Sequence, residues 1–111
     1  MDRQKLAKAA SDAMWAGDRA SKSLGMKVEE VRPGYARLSM RITRDMLNGY
    51  DTCHGGVIFT LADSAFGYAC NSHNQLSVAA SCSIDFLAPA RAGDVLTATA
   101  VELARAGRAG V

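Results

Sequence analysis

Between Thr52 and Ile84 the chain carries a single Asp, Glu, Lys or Arg, and that residue is Asp63. Its neighbours Val57, Ile58, Leu61, Ala62, Ala65, Phe66 and Ala69 are apolar at helical spacing, and no basic side chain stands one turn away. A carboxylate in such surroundings costs free energy unless it is paired or used. The chemistry open to it is nucleophilic attack or general-base work on a water. The plainer alternative is an Asp hydrogen-bonded to a neighbouring loop, and the residues alone weigh the two equally.

His54-Gly55-Gly56 opens the same helix. A helix start offers unpaired backbone N–H groups and the positive end of the dipole, and paired glycines let a ligand approach that backbone. That suits a carbonyl under attack, although Gly-Gly before a helix is often only a turn. His54 reads as a cap, an orienting group or an acid–base residue. Asn48 reads as a water- or substrate-orienting group, or as the turn residue before Gly49. Gly55 and Asp63 are eight positions apart, which on a straight helix is about 12 Å of rise. One chain cannot bring both to the same carbonyl, whereas a two-fold dimer can, by presenting Asp63 of one subunit to Gly55 of the other.

Cys53, His54, Cys70 and His73 are the residues a metal would recruit, but their spacing matches no compact zinc pattern. An odd cysteine count, with Cys82 as the third, gives no disulfide framework and fits a reducing compartment. Ten of the 13 Lys and Arg residues precede position 45, without a nucleic-acid recognition motif. No apolar run approaches the roughly 18 residues of a membrane span, and the charged N-terminus lacks a signal-peptide core. The expectation is one cytoplasmic domain over 1–111, binding neither nucleic acid nor membrane.

The elements that must hold these residues are legible from periodicity. Leu6, Ala10, Ala13, Met14 and Gly17 mark an amphipathic helix over 3–16, and Asp18 is placed to cap a short second helix that Gly25 ends. Residues 26–43 predict a β-hairpin turning at Arg32-Pro33-Gly34, with Ala36, Leu38, Met40 and Ile42 buried and Arg37, Ser39, Arg41 and Thr43 wet. Asn48-Gly49 marks a loop before the helix that runs from His54 to about Asn71, expected to be buried almost all round. Residues 77–88 and 94–104 predict two strands separated by Pro89–Gly93. The result is an α+β domain whose antiparallel sheet wraps the second long helix.

Leu47-Asn48-Gly49, Cys53-His54-Gly55-Gly56 and Leu61-Ala62-Asp63 together resemble the signature of the PaaI-type thioesterases. Ala69-Cys70-Asn71-Ser72, Ile84-Asp85-Phe86-Leu87, Pro89 and Gly93-Asp94 extend the likeness over roughly residues 10–111. The combination is specific although its parts are not. The resemblance implies a hotdog fold, hydrolysis of acyl-CoA without a cofactor, and a homodimer with shared sites that pairs into a dimer of dimers. It implies Asp63 as nucleophile or general base, the Gly55 N–H as the carbonyl-polarising donor, and Asn48 and His54 as orienting residues. It places Gly56, Phe66, Ser81, Ser83 and Pro89 beside the substrate, phenylacetyl-CoA or a hydroxylated relative by resemblance. Phe66, Tyr68 and Met46 read equally as an aromatic pocket or as core. Ala88 stands where relatives often carry a basic residue, with Arg91 as the substitute phosphate contact. Family members continue with two further strands, so the resemblance implies a chain truncated at Val111. Two other readings stand beside it: a hotdog hydratase or dehydratase, whose usual prolines near the helix start are absent here, and a non-catalytic acyl-CoA-binding protein, which would lack the carboxylate.

Overall fold

Helix α1 (Arg3–Gly17) begins at Asp2, whose carboxylate accepts the Lys5 N–H at 2.8 Å and so satisfies a first-turn donor. The computed structural model describes residues 1–111. The buried stripe of α1 is rotated from the expected one: Ala7 and Ser11 are buried, Met14 and Trp15 pack on the core, and Ala13 and Gly17 are exposed. Two small side chains allow close approach there while Trp15 covers the larger area, so side-chain size outweighs simple apolar spacing. Asp18 caps α2 (Arg19–Ser23) by accepting the Ser21 N–H at 3.1 Å, and Gly25 leaves the helix at φ +71°.

Strands β1 (Lys27–Arg32) and β2 (Tyr35–Arg41) form the expected hairpin, with Arg32 opposite Tyr35. Pro33 presets its own φ, and Gly34 supplies the positive φ, +70°, that the tight turn needs. Ala36, Leu38, Met40 and Ile42 are almost completely buried, as the alternation requires. Ser39, expected to be wet, is buried on the central strand between Lys27 and Thr97, and its hydroxyl donates to Glu29 Oε1 at 2.6 Å. A 3-10 turn (Arg44–Met46) leads to α3 (Gly55–Cys70), which packs on β2 and on β3 (Val95–Val101). The sheet order is β1-β2-β3, antiparallel throughout, and a small hairpin, β4 (Arg105–Ala106) with β5 (Ala109–Gly110), follows.

Two expectations are corrected. Helix α3 buries one face, Leu61, Ala65, Tyr68 and Ala69, against Leu38, Met40 and Ile42, while Ala62 and Asp63 are exposed. Small residues on every side make the sequence look buried all round, but only the sheet-facing side has a partner within the chain. Residues 77–88 form no strand ladder, although their alternation fits one. A strand exists by pairing, and this segment hydrogen-bonds to neither side of the sheet. It is tied down at its ends instead. Asn71 holds Ser77 by two bonds, side-chain amide to Ser77 carbonyl at 3.0 Å and Ser77 N–H to Oδ1 at 2.9 Å. Beyond the far end, the Cys53 N–H donates to the Ala90 carbonyl at 2.7 Å. The segment therefore runs back along α3 from its C-terminal end to its N-terminal end.

Candidate active site

The loop before α3 is organised by Asn48. Its side-chain oxygen accepts the Tyr50 N–H at 2.9 Å and, at 3.2 Å each, the Thr52 N–H and the Thr52 hydroxyl. This is a side-chain-made turn, and it lets Leu47 and Cys53 pair as an isolated bridge. The bridge aims the backbone into the helix, and the His54 N–H is fixed by the Met46 carbonyl at 2.7 Å. His54 is the N-cap: Nδ1 accepts the Gly56 N–H at 3.3 Å. The Val57 and Ile58 N–H groups donate to the His54 carbonyl at 3.0 and 3.3 Å. Of the four donors a helix start leaves open, the Gly55 N–H is the one bonded to no group of the chain.

Asp63 sits two turns further along the same helix, about 12 Å of rise from Gly55. Its side chain faces out of the chain, and it takes no part in the four ion pairs, which join Lys8–Asp12, Arg32–Glu30, Arg37–Glu30 and His73–Glu102. The carboxylate is therefore free, but it is not near its own Gly55.

The remaining expected residues divide between the two ends of α3. Asn48, His54, Gly55 and Gly56 gather at its N-terminus. Phe66, half-buried and one turn beyond Asp63, lines a cavity of about 230 Å³ of mixed character, with Ala69, Leu76, Val78 and Val101 on its apolar side and Glu102, Arg105 and Arg108 on its polar side. That cavity touches neither Asp63 nor Gly55. Ser81, Ser83 and Pro89 are exposed on the segment beside α3. Arg91 is exposed, and its N–H donates to Asp94 Oδ2 at 2.8 Å in the turn before β3. Met46 and Tyr68 are core: Tyr68 is 1% exposed, and its hydroxyl donates to Asp18 Oδ2 at 3.0 Å. The cysteines and histidines are also split, Cys53 and His54 at one end of α3 and Cys70 and His73 at the other. Burial pushes the Cys53 and Cys70 thiols above their ordinary range, which favours the inert protonated form.

One contact was not expected. The Phe86 ring lies against Gly55, with Cζ 3.2 Å from the position a Gly55 Cβ would occupy. Its signal in the sequence is weak, an aromatic among alternating residues, because nothing local reveals that the segment folds back onto a helix start.

An antiparallel sheet laid across one long helix, with a glycine N–H unpaired at that helix's start, defines the class. Residues 50–109 match the Thioesterase superfamily, and the chain belongs to that family and has its hotdog fold. Over 88 residues it is 51% identical to the acyl-coenzyme A thioesterase PaaI of Escherichia coli, covering 79% of this chain and 63% of that protein. The solved structure of the E. coli PaaI protein, from the phenylacetic acid degradation operon, superposes with a TM-score of 0.96 at 43% identity, over 98% of this chain and 79% of that one. A hypothetical thioesterase of Streptococcus pneumoniae, solved with coenzyme A, superposes with a TM-score of 0.70 at 26% identity, over 78% of this chain and 75% of that one. The chain spans less than two thirds of the length of the curated relatives it matches first. No helix is long and apolar enough to cross a membrane.

Proposed function

We propose that the protein is an acyl-CoA thioesterase and that each active site joins the Gly55 N–H of one subunit to the Asp63 carboxylate of another. The observation that carries this reading is the pair of unpaired groups on α3. An N–H at the positive end of the helix and a free carboxylate facing outward are both available, yet too far apart to meet within one chain. The likeness to the E. coli thioesterase, and to a relative solved with coenzyme A, supplies the substrate class.

In this reading the thioester oxygen accepts the Gly55 N–H, which stabilises the charge that develops on it during attack. Asp63 either adds to the carbonyl carbon or removes a proton from the water that does. By the water route the C–S bond breaks, the proton taken by Asp63 passes to the leaving CoA sulfur, and the acid is released. By direct attack the C–S bond breaks to leave a mixed anhydride on Asp63, which water then hydrolyses to the acid, with the proton ending on the CoA thiolate. Side chains and water suffice, so no cofactor is needed beyond the CoA carried by the substrate. Asn48 and His54 shape the loop and helix start that hold Gly55 in place. Ser81, Ser83 and Pro89 lie along the segment proposed to border the pantetheine arm, Gly56 and Phe66 border the substrate, and Arg91 is the candidate phosphate contact. Phenylacetyl-CoA and its ring-hydroxylated forms are the acyl-CoA esters to test first, given the operon named for the E. coli relative.

Assembly follows from the same geometry. A two-fold dimer that brings Gly55 of one subunit to Asp63 of the other, itself paired into a tetramer, is the proposed assembly. The test is release of free thiol from a panel of acyl-CoA esters. Turnover of at least one ester that disappears in Asp63→Asn supports the reading. Binding without turnover would leave an acyl-CoA-binding protein, and addition of water to an enoyl-CoA would make it a hydratase.

A further inference from the structure

Gly55 has no side chain, and the space a Cβ would take is bordered by the Phe86 ring. Cζ, Cε1 and Cε2 lie 3.2, 3.4 and 3.6 Å from that position, so three edge atoms of the ring approach the backbone together. A real Cβ is almost never brought that close without displacing its neighbour, so the absence of one at Gly55 lets the ring settle here. Phe86 is nevertheless 55% exposed. One edge rests on the helix start and the rest of the ring is open.

The position of the ring is not left to chance. The chain reaching it is fixed at Ser77 by Asn71, and four residues beyond it the Ala90 carbonyl is held by the Cys53 N–H, two residues before Gly55. Any carbonyl that accepts the Gly55 N–H must stand about 2.9 Å from that nitrogen. The groups attached to such a carbonyl therefore lie close to the residue whose face the ring covers.

We propose that Phe86 is a specificity-determining residue, whose ring forms a wall beside the acyl group and favours planar, π-bearing acyl groups over saturated ones of similar size. The proposal rests on the thioesterase reading above. Offset or edge-to-face aromatic pairs outdo simple area burial by a factor of about 2 to 12, which sets the size of the preference. Removing the ring replaces that interaction with ordinary apolar contact, which does not distinguish a phenyl from a cyclohexyl group.

The experiment measures kcat/KM for phenylacetyl-CoA and cyclohexylacetyl-CoA in the wild type and in Phe86→Leu, Phe86→Ala and Phe86→Trp. The expected result is an aromatic-to-saturated ratio that falls about 2- to 12-fold in the Leu and Ala variants and is kept in Trp. A purely structural role would lower both substrates together and leave the ratio where it was. Melting curves identify any variant that fails to fold, and Phe86→Trp alone still decides: a collapsed ratio in a folded Trp variant overturns the proposal. A wild type active on both esters, with an unchanged ratio in Leu and Ala, overturns the proposal and leaves the thioesterase reading standing. A wild type inert on every acyl-CoA overturns both.

Discussion

At the scale of single residues, what each side chain is already bonded to decides what it is free to do. Asp63 has no partner in the chain and is free to react, so Asp63→Asn should lower kcat by about 10³-fold or more while the melting temperature stays within a degree or two. Steady-state thiol release beside a thermal melt checks both halves. His54 and Asn48 differ from it, because each already accepts hydrogen bonds that build the helix start. Each Ala variant should cost about 1–2 kcal/mol of stability, readable in urea melts, and reduce activity less than the Asp63 change. A His54 or Asn48 variant more damaging to kcat than Asp63→Asn, at normal stability, would move the centre of the reaction away from Asp63. That Asp63 lacks an ion-pair partner was legible from its isolation among apolar residues. Its exposure was not, because periodicity describes a helix's own faces and says nothing about which of them the fold covers. Phe86 was missed for a related reason: its contact with Gly55 is made across 31 positions of sequence.

At the scale of elements, α3 is held in rotation by two polar contacts one turn apart. The Ser21 and Ser64 hydroxyls meet at 3.1 Å, and Tyr68 donates to Asp18 at 3.0 Å. Ser64 is the residue after Asp63, so these contacts to α2 help set the direction in which the carboxylate leaves the helix. Tyr68→Phe should cost about 1–2 kcal/mol, several degrees in Tm for a domain of this size. Asp18 also makes stability depend on pH. Burial tends to raise its pKa, but the Ser21 side chain and N–H, the Tyr68 hydroxyl and the charge on Lys22 outweigh that and hold it below the ordinary value. A depressed folded pKa stabilises fully above the unfolded value, about 3.9, and that contribution is lost as pH falls through the folded value. Asp18→Asn should therefore flatten the acid limb of a stability–pH curve below about pH 4; an unchanged acid limb would remove Asp18 from the account. The hairpin, its turn and α3 were readable because their signals are local: alternation, Pro33-Gly34, and a cap followed by apolar spacing. Residues 77–88 carried an equally good local signal and form no ladder, since pairing depends on a neighbour that the segment's own sequence does not contain.

At the scale of the whole molecule, the outward face of α3 around Asp63 has no cover within the chain, and the proposed dimer would supply it. Sedimentation at micromolar concentration should find dimers or larger assemblies. Monomers that keep full turnover would show that each chain completes its own site. If Gly55 and Asp63 meet only across subunits, two inactive proteins should restore each other when mixed. One carries Asp63→Ala and the other Gly55→Val, whose side chain would press into the Phe86 ring and crowd the N–H. A mixed dimer has one site with both defects and one with neither, so activity should return to as much as about half of wild type per mixed dimer. No recovery, with subunit exchange demonstrated by a mass-labelled partner, would contradict the claim.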